Sequence, residues 1–303
     1  MISTGVPAGI ASQSVLFLLL LCASAKLLFA TPKPPPTLNQ LVDGRYKIGE
    51  LLGHGQYGIV YGGQDIYSGT HVAMKFVYSK HAQLEEEYNI HKYLNGTVGI
   101  AQPYYFGAYD SVYNVFVVER LGRDFRVLMA PALQRLTYRD LVKVCVRIIS
   151  SMEGLHKKGL THRDIKPPNL ALSYDANTAQ KDASWQSGMK LYFHLHHNQT
   201  AYLLDLHRGV RFKRDNGTLL PPEMMQRRPQ RPSIYTPPSL VSGIGYTRKD
   251  DMIAIGYVLI RLTGVYLPWE CATNRDSIVK QMQATSASEL TKDAPGMEQH
   301  NTV

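Results

Sequence analysis

The segment Thr161–Asn169 reads Thr-His-Arg-Asp-Ile-Lys-Pro-Pro-Asn and is the most informative part of this sequence. In this pattern Asp164 can accept a proton from an attacking hydroxyl, Lys166 can neutralise a transferred phosphoryl group, and Asn169 can ligate a metal ion. Phosphoryl transfer needs positioning and charge neutralisation more than covalent help, and these residue types supply both. The alternative is a polar loop that matches the pattern by accident.

The sequence on either side of this segment predicts regular structure. Residues 137–157 predict a helix that Thr137 can cap, with Asp140 three residues further on. Its buried face is predicted from apolar residues at helical spacing, with Cys145 as a buried free thiol: Leu141, Val144, Cys145, Ile148, Ile149, Met152 and Leu155. Downstream, residues 201–205 predict an apolar strand that ends in Asp205, a natural second metal ligand.

A glycine-rich hairpin is predicted near the start of the folded part of the chain. Residues 45–60 read as strand, glycine turn and strand, and they contain the pattern Gly53, Gly55, Gly58 and Val60. Because a strand and not a helix follows, the pattern favours a phosphate-covering hairpin over a dinucleotide-binding fold. Glycine lets the backbone approach phosphates without a Cβ clash.

Two further segments predict charged groups near the same site. The strand Val72–Lys75 ends in an ammonium that suits the α- and β-phosphates of a nucleotide, although a surface lysine is the alternative. Residues 83–94 predict a helix with glutamates at 85, 86 and 87, one of which can pair with Lys75 while the other two face solvent. Residues 112–119 predict a buried strand. In chain order, these groups describe a nucleotide site between two lobes.

Together these motifs resemble those of protein kinases and, more closely, the casein kinase 1 group with its tau-tubulin-kinase-like and nematode-expanded branches. Further similar segments are residues 79–84, 99–100, 113–115, 119–122, 248–252, 256–259 and 267–269. The resemblance implies an α+β, two-lobed kinase domain over residues 44–290. Its small β-rich N-lobe would span residues 44–119, and its mainly helical, C-terminally shortened C-lobe would span residues 120–290.

The resemblance also assigns roles at an ATP and Mg²⁺ site. Asp164 would be the catalytic base with Lys166 as its partner on the phosphate side, and Asn169 and Asp205 would be the magnesium ligands. Matching spacing selects Glu87 as the partner of Lys75. The residues expected to bind ATP are Leu52, Gly53, His54, Gly55, Gly58, Val60, Ala73, Lys75, Glu87, Glu119 and Leu121.

Two positions outside the motifs receive roles from the same resemblance. Val118 would be the gatekeeper beside the adenine hinge. Asp251 would anchor the catalytic loop from a buried helix, whose predicted apolar stripe is Met252, Ile255, Leu259 and Leu262.

The sequence departs from the family pattern at the metal-binding end. Asp205-Leu206-His207 stands where the family has Asp-Phe-Gly. A bulky histidine replaces a glycine that bends freely, which calls into question the metal geometry and the placement of the activation segment. Pro168 replaces the usual Asp before Asn169, a change that we expect to be tolerated.

Two longer segments also depart from the pattern. Residues 174–200 form an insertion with histidines at 194, 196 and 197, for which a solvated loop is favoured over a metal site because no Cys or acidic residue has ligand spacing. The shortened C-lobe, followed by a polar tail at residues 291–303, is expected to leave apolar surface for a partner to cover, unless the gene product is eroded or incomplete.

The N-terminus has the features of a targeting sequence. Residues 15–22 are apolar and are followed by Ala-Ser-Ala at 23–25, which indicates a signal peptide over residues 1–25. An uncleaved membrane anchor is the alternative, and it is the one route to a membrane that the sequence offers. A proline-rich linker over residues 26–43 follows. We therefore expect the secretory pathway or the extracellular space, or the cytoplasm if the N-terminus is an artefact of the gene model.

Composition and charge narrow the class of protein and its partners. Hydrophobic residues at 44% and charged residues at 19% are typical of a folded chain, and three cysteines are too few for a disulfide scaffold. The net charge of +9 favours acidic partners. Seven basic residues cluster in the predicted activation segment: Arg208, Arg211, Lys213, Arg214, Arg227, Arg228 and Arg231.

We interpret this cluster as a substrate-recognition region, with Arg227, Arg228 and Arg231 as candidate substrate-binding residues, because arginine binds phosphate bidentately. A solvated loop is the alternative, and nucleic acid is disfavoured because no aromatic interleaving accompanies the charge. The leading hypothesis is a Ser/Thr protein kinase acting on acidic or phosphorylated proteins. The alternative is a catalytically impaired pseudokinase that serves as a binding or scaffold module. The oligomeric state stays open.

Overall fold

The computed structural model describes residues 36–55, 58–81, 83–126, 129, 138–176, 199–214, 216–221, 233–241, 245–272 and 274–292. Several predicted features lie outside these residues. They are the signal segment, most of the linker, Thr137, most of the insertion with its three histidines, Arg227, Arg228, Arg231 and most of the polar tail. Within the described ranges, no helix has the length and apolar character needed to cross a membrane.

The N-lobe is a six-stranded antiparallel sheet with one helix. The elements are β1 (Leu41–Val42), β2 (Tyr46–Gly55), β3 (Gly58–Asp65), β4 (His71–Tyr78), α1 (Gln83–Tyr93), β5 (Pro103–Ala108) and β6 (Tyr113–Glu119). The strand order is β1-β2-β3-β4-β6-β5. The β2–β3 hairpin closes at the Gly55–Gly58 pair, and Lys75 on β4 lies opposite Val60 on one side and Phe116 on the other.

The N-lobe core forms where alternate side chains of a strand point to one face of the sheet, as Val72, Met74 and Phe76 do on β4. The buried side chains on the inner face of the sheet include Ile48, Val72, Met74, Phe76, Val115 and Val117. Helix α1 packs through Leu84 against Val77 and Phe116. This packing turns the buried side of α1, with Glu87 and His91, toward the sheet.

The C-lobe consists of helices and short strand pairs. Its elements are β7 (Leu121–Asp124), α2 (Tyr138–Lys157), β8 (Leu160–Thr161), β9 (Leu170–Ser173), β10 (Ala201–Leu203), β11 (Val210–Arg211), α3 (Pro238–Val241), α4 (Arg248–Leu262), α5 (Arg275–Ala284) and α6 (Ala287–Thr291). Strands β7, β9 and β10 form one sheet, and β8 pairs with β11. Short 3-10 turns at Pro167–Asn169 and Leu206–Arg208 follow β8 and β10.

The core of the C-lobe lies mainly between α2 and α4. The buried apolar residues that these two helices contribute to this core are Val144, Ile148, Met152, Leu155, Ala254, Ile255, Val258 and Leu262. These positions recur at three- and four-residue intervals, so they share one face of each helix.

Three predictions about these helices were wrong in detail. Ile149 is 40% exposed, Met252 is 39% exposed, and Cys145 is partly buried. The reason is helical phase: successive residues point about 100° apart, so the neighbours of a buried residue face outward. Ile149 directly follows buried Ile148, and Met252 directly follows buried Asp251. Burial still raises the pKa of the Cys145 thiol.

Candidate active site

A cavity of about 470 Å³ lies between the glycine-rich hairpin and the catalytic loop. Most of the residues predicted to bind ATP or metal line it: Leu52, Gly53, His54, Gly58, Val60, Ala73, Lys75, Glu87, Glu119, Leu121, Asn169 and Asp205. Val118 and Pro168 line it as well. Gly55 pairs with Gly58 at the end of the hairpin. The predicted residues, which are scattered over the sequence, therefore converge on one cleft.

Two glycines of the hairpin serve different purposes. Gly58 has a φ of 134°, and a Cβ there would clash with the backbone carbonyl of Phe76. A Cβ on Gly53 would meet no protein atom within 4 Å, although Gly53 borders the cavity. Gly58 thus permits the turn itself, whereas the bare backbone at Gly53 leaves open space on the ligand side.

An ion pair joins the N-lobe sheet to α1 at the wall of the cavity. The Nζ of Lys75 lies 2.6 Å from Oε2 of Glu87. Glu85 and Glu86 are exposed, so the structure selects the same glutamate that the spacing indicated. The pair fixes the Lys75 ammonium where it can meet the phosphates of a nucleotide.

A buried carboxylate at the start of α4 anchors the backbone of the catalytic loop. Asp251 at the start of α4 accepts hydrogen bonds from the backbone amides of His162 (2.9 Å) and Arg163 (3.0 Å). It also accepts one from the Tyr246 hydroxyl at 2.7 Å, and His156 Nε2 lies 2.8 Å away. Burial alone would raise the pKa of Asp251, but His156, His162 and these hydrogen bonds lower it. The negative charge of Asp251 therefore holds the backbone just before Asp164.

The carboxylate of Asp164 is contacted through one of its two oxygens. Its Oδ2 receives Lys166 Nζ at 2.8 Å, Asn169 Nδ2 at 3.1 Å and Arg208 Nη1 at 3.5 Å. Asn169 Nδ2 also donates to the backbone carbonyl of Asp164 at 2.8 Å. Because the nitrogen of the Asn169 amide faces Asp164, its oxygen is left for a metal.

Asp205 lies two residues after the end of β10, in a left-handed conformation with φ of 64°, so the predicted strand over residues 201–205 ends earlier than expected. Asp205 Oδ1 lies 2.6 Å from Nδ1 of His207. Burial would raise the pKa of Asp205, but His207, with Lys75 and His162, lowers it to about 2. Asp205 is therefore an anion at neutral pH, as a metal ligand must be.

His207 occupies its position without backbone strain. Among the described non-glycine residues, positive φ values occur at Asn39, Asp43, Arg163 and Asp205, and not at His207. The sharp bend of this segment is made at Asp205. The conformational freedom of glycine is therefore not needed at position 207, which answers the backbone question that the sequence raised.

The donor set fits a magnesium ion. Asn169 Oδ1 and Asp205 Oδ2 accept no hydrogen bond from any described residue, and both residues line the cavity. Amide and carboxylate oxygens are the ligands that magnesium takes in nucleotide sites, where substrate phosphates and water complete the shell. Within the described chain, no group of three or more His, Cys, Asp or Glu side chains could hold a metal alone.

Two contacts of the site were missed by sequence reasoning. Tyr202 on β10 donates to Glu119 Oε1 at 2.9 Å and so ties the carboxylate of this hinge residue to the C-lobe. Arg208 reaches Asp164, although its sequence context placed it in the basic cluster. No periodicity or motif pointed to either contact. Three other described members of the cluster, Arg211, Lys213 and Arg214, are exposed.

Comparison with known proteins agrees with this architecture. The family model described as protein kinase domain matches residues 46–191. Casein kinase I homolog 2 of Saccharomyces cerevisiae is 29% identical over 234 residues, which cover 77% of this chain and 39% of the relative. Casein kinase I homolog 1 of the same yeast is 28% identical over 234 residues, covering 77% and 40%.

Casein kinase I homolog RAG8 of Kluyveromyces lactis is 27% identical over 265 residues, which cover 85% of this chain and 46% of the relative. The chain thus spans less than half the length of these three relatives. The matches and the two-lobed α+β fold confirm the resemblance seen in the motifs. The chain is therefore similar to the protein kinase superfamily and, within it, to the casein kinase 1 group.

Proposed function

We propose that this protein is a Ser/Thr protein kinase of casein kinase 1 type, which transfers the γ-phosphoryl group of ATP to hydroxyl groups of proteins. The observation that carries the proposal is the convergence of charged groups on one cavity. Lys75, Glu87, Asn169 and Asp205 line it, and Asn169 Nδ2 joins this lining to Asp164, which in turn contacts Lys166. This is the arrangement that phosphoryl transfer requires.

The residues of the site divide the chemistry among them. Lys75, held by Glu87, binds the nucleotide phosphates beneath the glycine-rich hairpin. Asp164 accepts the proton of the attacking hydroxyl, and Lys166, 2.8 Å from Asp164, offsets charge on the transferred group. Asn169 and Asp205 would hold magnesium, which when bound neutralises phosphate charge.

For the substrate, we propose acidic or already phosphorylated proteins. Support comes from the net charge of +9 and from exposed Arg211, Lys213 and Arg214 after the metal-binding segment. Arg227, Arg228 and Arg231 remain sequence predictions for the same role. A solvated basic loop is the competing interpretation. Replacing Arg227, Arg228 and Arg231 with alanine should raise KM for an acidic peptide if they bind substrate. The replacement should leave KM unchanged if they belong to a solvated loop.

The experiment for the activity itself is transfer from labelled Mg-ATP to casein by the full chain. Asp164→Asn should lower kcat by about 10²- to 10⁴-fold, because it removes the base while preserving shape. Asp276→Asn is the matched control, since Asp276 is an exposed carboxylate on α5. Unchanged transfer by a folded Asp164→Asn protein would refute the proposal.

The second candidate is a pseudokinase, and one observation favours it. Both catalytic carboxylates already carry a contact from a neighbouring cationic or imidazole side chain, Asp164 from Arg208 and Asp205 from His207. If these contacts obstruct the site, the native chain would bind ATP without transferring it. His207→Gly would then raise transfer well above that of the native chain.

For localisation, we propose entry into the secretory pathway through residues 1–25, with an uncleaved anchor or a cytoplasmic protein as alternatives. The support is the apolar run at residues 15–22 followed by Ala-Ser-Ala. Sequencing the N-terminus of the mature protein would decide among them. A start near Lys26 would support secretion.

A further inference from the structure

A chain of contacts connects the two catalytic carboxylates through two consecutive residues. His207 Nδ1 lies 2.6 Å from Asp205 Oδ1, and Arg208 Nε donates to His207 Nε2 at 3.4 Å. The same guanidinium places Nη1 3.5 Å from Asp164 Oδ2. The order of contacts is therefore Asp205, His207, Arg208 and Asp164.

These contacts leave each carboxylate with one oxygen engaged and one directed elsewhere. The three contacts of the Asp164 side chain all fall on Oδ2, so Oδ1 is the oxygen left to accept a proton. His207 engages Oδ1 of Asp205, a residue that lines the cavity, so Oδ2 is the oxygen left to bind a ligand there. A carboxylate restrained at one oxygen cannot rotate freely, so its second oxygen keeps a fixed direction.

The backbone holds the two residues firmly in this place. Leu206, the residue before them, is 1% exposed in the core of the C-lobe. Directly after them, β11 pairs with β8, which leads into the catalytic loop. Gly209 allows the close approach, because a Cβ there would lie 2.9 Å from the carbonyl of Thr161. The His207 and Arg208 side chains are 15% and 18% exposed.

We propose that His207 and Arg208 are positioning residues that orient the two catalytic carboxylates: His207 aims Asp205 at the metal, and Arg208 aims Asp164 at the substrate hydroxyl. The histidine that departs from the family pattern thus assists the site. The pseudokinase reading makes the opposite claim, that the same contacts obstruct it. The inference rests on the proposed function. Metal binding and phosphotransfer are therefore measured separately, so that a failure of one can be told from a failure of the other.

The first measurement is direct metal binding to the full chain. Mn²⁺ serves as a paramagnetic probe in the presence of the ATP analogue AMP-PNP, and its dissociation constant is read by electron paramagnetic resonance. His207→Ala should weaken Mn²⁺ binding by about 10- to 100-fold, the usual cost of losing a group that orients a metal ligand. His207→Asn, whose amide places a donor near the position of Nδ1, should recover most of that loss.

The outcomes separate the two hypotheses. Equal Mn²⁺ binding in wild type, His207→Ala and His207→Asn would overturn the positioning role, and so would tighter binding in His207→Ala. Wild type that binds Mn²⁺ with AMP-PNP but transfers no phosphate would contradict the proposed function while leaving the role of His207 supported by the affinities. Wild type that binds no Mn²⁺ with AMP-PNP would overturn both.

The second measurement addresses Arg208. Arg208→Ala should lower kcat about tenfold or more with little change in KM for ATP, because it misdirects the base and leaves the nucleotide contacts intact. Arg208→Lys should not restore kcat, since a single ammonium cannot span His207 and Asp164 as the guanidinium does. Arg139→Ala, the loss of an exposed arginine on α2, is the matched control.

The double variant tests whether the two residues act as one unit. The loss of kcat/KM in His207→Ala with Arg208→Ala should be smaller than the product of the two single losses, because the residues contact each other. Independent, multiplicative effects would contradict a joint role. A loss in either single variant that is matched by a fall in melting temperature and is not rescued by His207→Asn would indicate a merely structural role.

Discussion

The two segments that present the catalytic carboxylates are held in place by different means. The loop that contains Asp164 is fixed through its backbone, because Asp251 accepts the amides of His162 and Arg163 from the start of α4. On the second segment the Asp205 carboxylate itself is held through the side chain of His207, which Arg208 contacts in turn. The first attachment is a part of the folded core, whereas the second can change without disturbing the core. Damage to the first should therefore appear in stability, and damage to the second in metal binding and rate.

The largest effect that we expect is a loss of folding stability when Asp251, the anchor of the first segment, is replaced. Asp251→Ala leaves two buried amides and a buried tyrosine hydroxyl without their acceptor. Removing one member of such a buried charged network costs about 3–5 kcal/mol of unfolding free energy, and chemical denaturation measures it. Asp276→Ala, an exposed carboxylate on α5, should change stability by no more than about 0.5 kcal/mol.

The contrast would fail if Asp251→Ala unfolded at the same denaturant concentration as wild type. It would equally fail if Arg208→Ala were as destabilised as Asp251→Ala, because the two segments would then be attached in the same way.

A smaller effect is expected in the N-lobe, where a side-chain contact also holds a functional group in place. The Lys75 Nζ pairs with Glu87 Oε2 at 2.6 Å. Glu87→Gln keeps the shape but removes the charge, so a charge-assisted contact worth about 1.5–3 kcal/mol is lost. We expect a fall of roughly 10- to 100-fold in kcat/KM for ATP with a small change in stability. Glu86→Gln, an exposed neighbour, is the control.

The smallest effect concerns acid stability. The pKa of Asp251 is lowered in the folded protein, so its unfolded value, about 3.9, lies above the folded one. A carboxyl of this kind stabilises the fold fully above pH 4 and loses its contribution as the pH falls through the folded pKa. The stability difference between wild type and Asp251→Ala should therefore narrow as the pH falls from about 5 toward 3. A constant difference across that range would show that the charge of Asp251 is not what anchors the loop.

Much of the site could be predicted because its signals are local in the chain. Asp164, Lys166 and Asn169 share one short segment, and their spacing alone indicated phosphoryl transfer. Glu87 was selected from three adjacent glutamates by spacing, and its buried position agrees. Ile149 and Met252 were assigned to buried faces on apolar character, but helical phase turns each of them outward.

The contact of Arg208 with Asp164 could not be predicted from local sequence. The neighbours of Arg208 in the sequence are basic, and that context indicated an exposed cluster. In the folded chain, the β8–β11 pair brings the Leu206–Arg208 turn beside the catalytic loop, and the guanidinium meets Asp164, a residue 44 positions earlier. Tyr202 meets Glu119 across 83 positions in the same way.

Residue type and short spacing were enough to predict the resemblance to protein kinases, the order of the main elements and the identity of the charged groups. The tertiary structure decided which oxygen of each carboxylate is engaged, that the bend falls on Asp205, and that His207 and Arg208 join two distant carboxylates. The physical reason is that the direction of a side chain follows from the packing of elements distant in sequence, which no local pattern encodes.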